Sequence, residues 1–256
     1  MLVDTHAHLY AKQFKKDRDE MIRRAITHGI ERLFLPNIDS QSITGMLALE
    51  KQYPAHCFPM MGLHPGSVRA SYKEELALVE KWLGERSFCA IGEIGIDLYW
   101  DENKKFFEEQ KIAFRQQINW AKTLNVPIVI HARDSIDIII DIVKEEKDDR
   151  LQGIFHCFTG TLEQAQAIMD LEFYMGLGGI LTYKKAKLDE VVKDIPMEYL
   201  VLETDAPYLA PSPHRGKRNE SSYVRYVAQK LADIKGISQE TVASITTQNA
   251  LRVFQV

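Results

Sequence analysis

The chain is poor in cysteine, in long apolar runs and in excess charge of either sign. Cys57, Cys89 and Cys157 are its only cysteines, and no two of them form a Cys-x-x-Cys pair. That spacing offers no disulfide framework and suits a reducing, cytoplasmic setting. The most apolar stretch, around Ile138-Ile139-Ile140, is interrupted by Asp137 and Asp141, so neither a signal peptide nor a membrane span is expected. Formal net charge is −4. Such a surface does not grip a polyanion along its whole length, and any nucleic-acid contact has to be local or carried by bound cations. No glycine-rich phosphate loop follows the first apolar run, which counts against an open dinucleotide-binding sheet.

What is present is a regular alternation. Apolar residues make up 45% of the 256 positions, enough for one sizeable core. Eight short apolar runs fall at 1–5, 32–35, 57–62, 88–92, 127–130, 153–155, 173–177 and 199–202. Helix-like periodicity fills the gaps at 14–28, 40–53, 72–84, 103–124, 135–147, 161–171 and 183–194, and two closing helices follow at 219–234 and 238–254. Strands and helices in this rhythm read as repeated βαβ units on a parallel sheet. Eight of them in this length predict an α/β fold of the (β/α)8 TIM-barrel type, with a doubly wound open sheet as the runner-up. No linker divides the chain, so a single domain spanning 1–256 is expected.

Polar residues recur at the ends of these runs. In a strand, residues two apart face the same way, so His6 and His8 project together. His64 follows strand three, Glu93 ends strand four, His131 strand five and His156 strand six, while Glu203 and Asp205 end strand eight. Barrel enzymes build their sites at this rim, and five of the chain's eight histidines lie in it. Four imidazoles and two or three carboxylates exceed what one catalytic metal needs. The set suits two divalent ions with Glu93 as the bridge, able to activate water for displacement at phosphorus. Mg, Mn, Zn or Ni could serve, Mg only with added oxygen or water ligands. Asp205 is the candidate base. Glu203 could support the site from behind or touch substrate. His64 and Arg133 are candidate phosphate contacts, as are Arg215, Lys217 and Arg218 before an expected helix start at Asn219-Glu220. Asp97 could hold a ligand histidine, Tyr99 and Trp100 could stack on bases, and Cys157 is expected to be small, buried and turned away.

Several motifs then resemble a known family. Asp4-Thr5-His6-Ala7-His8-Leu9, Gly92-Glu93-Ile94-Gly95-Ile96-Asp97, Pro127-Ile128-Val129-Ile130-His131-Ala132-Arg133, Phe155-His156-Cys157-Phe158-Thr159-Gly160 and Glu203-Thr204-Asp205-Ala206-Pro207-Tyr208-Leu209 closely resemble those of the TatD-type metal-dependent deoxyribonucleases. Arg215 to Glu220 and Asn249 to Phe254 resemble the family's C-terminal blocks. The resemblance implies an amidohydrolase-like barrel hydrolase. It implies one ion on His6, His8 and Asp205, a second on His131 and His156, and Glu93 shared between them. It also implies deoxyribonuclease activity, often exonucleolytic, with deacylation of D-aminoacyl-tRNA linked to some members. Two positions depart from the pattern: Tyr10 stands where Asp or Asn often follows His-Leu, and Ser221 where Pro often follows Asn-Glu. The expectation is a two-metal deoxyribonuclease acting on single-stranded DNA or chain ends, monomeric and without an obligate protein partner. The rival is a deacylase or amidohydrolase using the same ions.

Overall fold

A computed structural model describes residues 1–256. Eight strands, β1 (Leu2–Asp4), β2 (Ile30–Pro36), β3 (Cys57–Met60), β4 (Ile91–Asp97), β5 (Ile128–Arg133), β6 (Gly153–Phe155), β7 (Tyr174–Leu177) and β8 (Leu200–Leu202), run in chain order. Parallel ladders join β1 to β3 and β4 to β8. Two narrow seams close the ring. At one, Met61 pairs with Ile91, and Gly92 N–H donates to Met61 O at 3.0 Å. At the other, Ala7 pairs with Ala206, and Asp205 N–H donates to His6 O at 2.9 Å. The architecture is the (β/α)8 barrel.

Helices α1 (Arg18–Thr27), α2 (Ile43–Gln52), α3 (Tyr72–Glu85), α4 (Asp101–Lys104), α5 (Phe107–Leu124), α6 (Ile136–Glu146), α7 (Leu162–Asp170) and α8 (Leu188–Val192) lie between strands, and α9 (Val224–Lys235) and α10 (Gln239–Phe254) follow β8. In α5, Gln110, Ala113, Phe114, Gln117, Ile118 and Ala121 are buried at steps of three and four, the stripe a helix needs to pack on a sheet. Left-handed Asn125 stops it. A capping box of Thr161 and Gln164 opens α7. No helix is long and apolar enough to cross a membrane.

One apolar layer packs helices onto the strands, and a smaller one fills the ring itself. Val3, Phe34, Met60, Val129, Ile154 and Val201 meet there, one from each of six strands. Phe254 of α10 seals the base by stacking on Phe34 with centroids 3.8 Å apart. Two residues beyond Val129, Ile154 and Val201 come His131, His156 and Glu203, which alternation turns to the same interior. β4 reaches that layer by breaking parity. Ile91 pairs with Ile128 and Ile94 with Ile130, three residues against two. This bulge sends Ile94 to the outer layer and frees Glu93 to point inward.

Several expected boundaries move. β4 runs on to Asp97, so Glu93 lies within the strand, not at its end. Within it Gly95 lies close against β5, where any Cβ would collide with the carbonyl oxygen of His131. The first helix begins at Arg18 after a single 3-10 turn at Lys12–Phe14. The expected helix 103–124 breaks at Lys105-Phe106. The expected helix 183–194 shrinks to α8 because Lys187, with φ 52°, interrupts it.

Candidate metal centre

At the C-terminal mouth lies a cavity of about 880 Å³, with Glu93 on its floor and two knots of donor atoms around that carboxylate. In the first, His6 Nε2 and His8 Nε2 are 3.3 Å apart. Glu93 Oε2 lies 3.1 Å from the one and 3.3 Å from the other, and Asp205 Oδ1 lies 3.9 and 3.6 Å away. Four tetrahedral ligands bound at about 2.0–2.1 Å stand about 3.3 Å from one another. The five separations, from 3.1 to 3.9 Å, lie near that edge, so the donors fit one divalent ion. In the second knot, Glu93 Oε1 lies 2.7 Å from His131 Nδ1 and 2.9 Å from His156 Nε2, with the two nitrogens 3.4 Å apart. Three donors facing a cavity fit an ion that keeps a coordination position open.

Neighbouring groups decide which ring nitrogen faces inward. The Tyr10 hydroxyl donates to Pro36 O at 2.5 Å, so its oxygen accepts the Nδ1 proton of His8 at 2.8 Å. The His8 Nε2 lone pair is thereby left for the cluster. His64 has the opposite tautomer. Gly66 N–H donates to its Nδ1 at 2.9 Å, which puts the proton of the neutral ring on Nε2, 3.4 Å from Glu93 Oε1. His64 therefore meets the cluster as a donor, not as a lone-pair ligand. Glycine permits this, since a Cβ at Gly66 would approach Nδ1 to 2.9 Å. Asp97 Oδ2 lies 3.0 Å from His131 Nε2, a carboxylate steadying the imidazole from outside.

Burial alone would raise the Glu93 carboxyl. Electrostatic interaction with His156, His64 and His6 and the hydrogen bond from His131 outweigh it and hold the group well below the usual carboxylate range. Burial works to lower His156, but Glu93 and Glu203 reverse this and hold it well above an ordinary histidine. His6, fully buried and beside His156, is held well below, the neutral state a ligand requires. Burial pushes Asp205 up to about 6. A divalent cation would favour the unprotonated form of all four.

Not every residue singled out in the sequence reaches the cavity. Glu203 is fully buried, with Oε1 accepting Cys157 N–H at 2.6 Å and lying 3.4 Å from His156 Nδ1. It sits under the site, and a Cβ on Gly176 would strike its Oε2; substrate contact gives way to support of His156. Arg133 does line the cavity. Arg218 is held elsewhere by Asp17, at 2.5 and 2.7 Å, and covers the Phe14 ring. Arg215 lies over Tyr183 and Lys217 is exposed, and neither lines the cavity. The expected helix start at Asn219-Glu220 is absent, because both side chains are in use. Asn219 Nδ2 donates to Thr204 O and Tyr208 O, each at 2.7 Å, and Glu220 pairs with Arg24 at 2.7 Å. This segment grips the loop that carries Asp205, whose φ is 56°. Cys157, expected to turn away, lines the cavity instead, and burial keeps its thiol well above the ordinary range.

Sequence reading passed over Asp4. Its carboxylate accepts Thr204 N–H at 2.9 Å and the Thr204 hydroxyl at 2.6 Å, tying the first strand to the loop after the last. Its one signal in the sequence is its place in Asp4-Thr5-His6, the motif that ring closure sets against Glu203-Thr204-Asp205.

The family model for TatD related DNase matches residues 3–255. The chain belongs to this family. It is 43% identical over 257 residues to the uncharacterized metal-dependent hydrolase YabD of Bacillus subtilis (strain 168), with both chains covered in full. It is 32% identical over 262 residues to the 3'-5' ssDNA/RNA exonuclease TatD of Salmonella typhimurium, covering all of this chain and 99% of that one. The crystal structure of YJJV, a TatD homolog from Escherichia coli K12, superposes with a TM-score of 0.93 at 28% identity, over 100% of this chain and 98% of that one. The protein is a metal-dependent hydrolase of the TatD family, and its mouth carries His/Glu clusters able to hold metal.

Proposed function

We propose that this hydrolase is a nuclease that cuts phosphodiester bonds in DNA, working on single strands from a free end with two divalent ions. One observation carries the reading: Glu93 offers one oxygen to His6 and His8 and the other to His131 and His156. The Salmonella relative named for single-strand exonuclease activity supports the choice of substrate. His6, His8, Glu93 and Asp205 would hold one ion, and His131, His156 and Glu93 the other. When bound, such ions supply Lewis acidity, shifting a water from a pKa of about 15.7 toward ~7 and screening phosphodiester charge. The chain's own residues do the rest. The Asp205 carboxylate orients the attacking water and takes its proton. His64 hydrogen-bonds a non-bridging phosphate oxygen through its Nε2–H, and Arg133 pairs with another. Tyr10, Asp97 and Glu203 hold the imidazoles in place. We further read the protein as one monomeric, cytoplasmic hydrolase domain, its three free thiols fitting a reducing compartment.

The test incubates metal-loaded protein with end-labelled single- and double-stranded DNA, beside His131→Ala and Glu93→Ala. Progressive shortening of the single strand by the parent protein alone is expected. Intact DNA with Mg, Mn, Zn and Ni refutes the reading, and equal cleavage by the variants assigns the activity to a contaminant. Deacylation of a D-aminoacyl-tRNA with DNA left intact would move the substrate to an ester.

A further inference from the structure

Beyond Asp97 the chain exposes two large aromatic side chains in succession. Tyr99 is 48% and Trp100 59% exposed, with ring centroids 4.7 Å apart and planes nearly perpendicular. Neither belongs to the apolar core. The Arg133 guanidinium lies 3.7 Å above the Tyr99 ring and fixes its plane. Trp100 and Arg133 line the catalytic cavity. β4 and β8 stand four places apart in the ring of eight strands, on opposite sides of the mouth. Across from Trp100, Tyr208 is 49% exposed, lines the same cavity and lies 6.3 Å from the His8 ring. The mouth thus has an aromatic group on each of two facing walls and the donor cluster between them.

The charges around Trp100 narrow what that wall can take. Asp101 and Glu102 line the cavity beside it but pair with Lys104 at 2.9 Å and with Arg69 at 3.9 Å, so acids and bases largely offset one another at this wall and give a phosphate no net pull. A flat, uncharged, polarizable group is what remains. We propose that Trp100, with Tyr99 braced beneath Arg133, is a stacking platform for an unpaired nucleobase of the bound strand. The proposal rests on the nuclease reading and adds its selectivity. Bases inside a duplex have both faces covered by neighbours, whereas a single strand or frayed end presents a free face to an aromatic side chain.

The test compares the parent protein with Trp100→Ala and Trp100→Phe on two labelled single strands: oligo-dT, and the same sugar-phosphate chain lacking bases. Binding is followed in parallel by quenching of tryptophan fluorescence, with Trp100→Phe isolating the signal from Trp82 and Trp120. The expected result is that oligo-dT, and not the abasic strand, quenches Trp100. The preference in kcat/KM for oligo-dT over the abasic strand falls about tenfold in Trp100→Ala, entering through KM, and Trp100→Phe restores most of it. An unchanged preference, or quenching by both strands alike, overturns the platform. So does a Trp100→Ala protein that sediments as a smaller species than the parent, which would make this wall a contact between copies. The binding arm needs no cleavage. Quenching by oligo-dT with neither strand cut would leave the platform standing and bring down the nuclease reading.

Discussion

At the closed end of the barrel, Val3, Phe34, Met60, Val129, Ile154 and Val201 fill the ring without a titratable group among them, and Phe254 seals it from below. Two residues further along β5 and on past the ends of β6 and β8, the same inward face presents His131, His156 and Glu203. Backbone and direction are shared, yet the two layers serve opposite ends. Apolar side chains in the lower layer gain free energy by leaving water. The upper layer buries carboxylates and imidazoles, at a cost offset only by their mutual pairing and by any cation they hold. The base can stabilise the fold, so the mouth is free to be chosen for chemistry.

Substitutions in the two layers should therefore separate. The largest effect is expected from Glu93→Gln, which removes the carboxylate common to both donor knots. Hydrolysis should fall by about 10³-fold, at the upper end for one electrostatic group at a reacting centre, while the circular dichroism spectrum keeps its folded shape. Collapse of the fold along with the activity would erase the distinction between the layers. Next comes Phe254→Ala at the base. Losing a buried aromatic should cost about 3 kcal/mol in urea unfolding, with kcat at saturating metal retained.

Tyr10→Phe sharpens the comparison within the mouth. It leaves the His8 Nδ1 proton without its acceptor but removes no proposed ligand. Metal affinity should weaken by about 10- to 100-fold, read by competition with a chelating dye, and an unchanged affinity would mean that the ring holds its tautomer unaided. The smallest effect lies outside both layers. Glu220 is buried, which would raise its carboxyl, but the hydrogen bonds from Arg24 hold it below the usual 4.5. Its contribution is therefore full above that value and lost as pH falls through the depressed one. Glu220→Gln should lower stability at pH 7 by about 1 kcal/mol, since Arg24 is partly exposed. Urea midpoints of the two proteins should converge as pH drops below 4. A gap that widens in acid would reverse the sign.

Strand order and the inward donors were legible because both depend on short-range pattern. An apolar run followed by histidine or carboxylate announces its own face by period two, and five such cues, at β1, β3, β5, β6 and β8, fall in sequence. The bulge at β4 was not legible, since it exists only in the register against β5, and without it Glu93 would face outward. The basic run Arg215, Lys217 and Arg218 misled for a related reason. A guanidinium already bound to Asp17 reads the same in sequence as one free to meet phosphate, and that partner lies some two hundred positions away. Asn219 was hidden likewise, as its bonds to Thr204 and Tyr208 belong to a loop assembled by closure of the ring.

That closure has a consequence in time. In the order of synthesis His6 and His8 precede the other donors, and by residue 156 every imidazole of the cluster has been made. Asp205 and the bond from its amide to His6 O come only with the final quarter. An unfinished or truncated protein therefore carries a half-built centre whose missing wall is the last strand's loop. Only when the segment after β8 meets the end of β1, Asp205 N–H on His6 O, does the first donor knot gain its fourth donor.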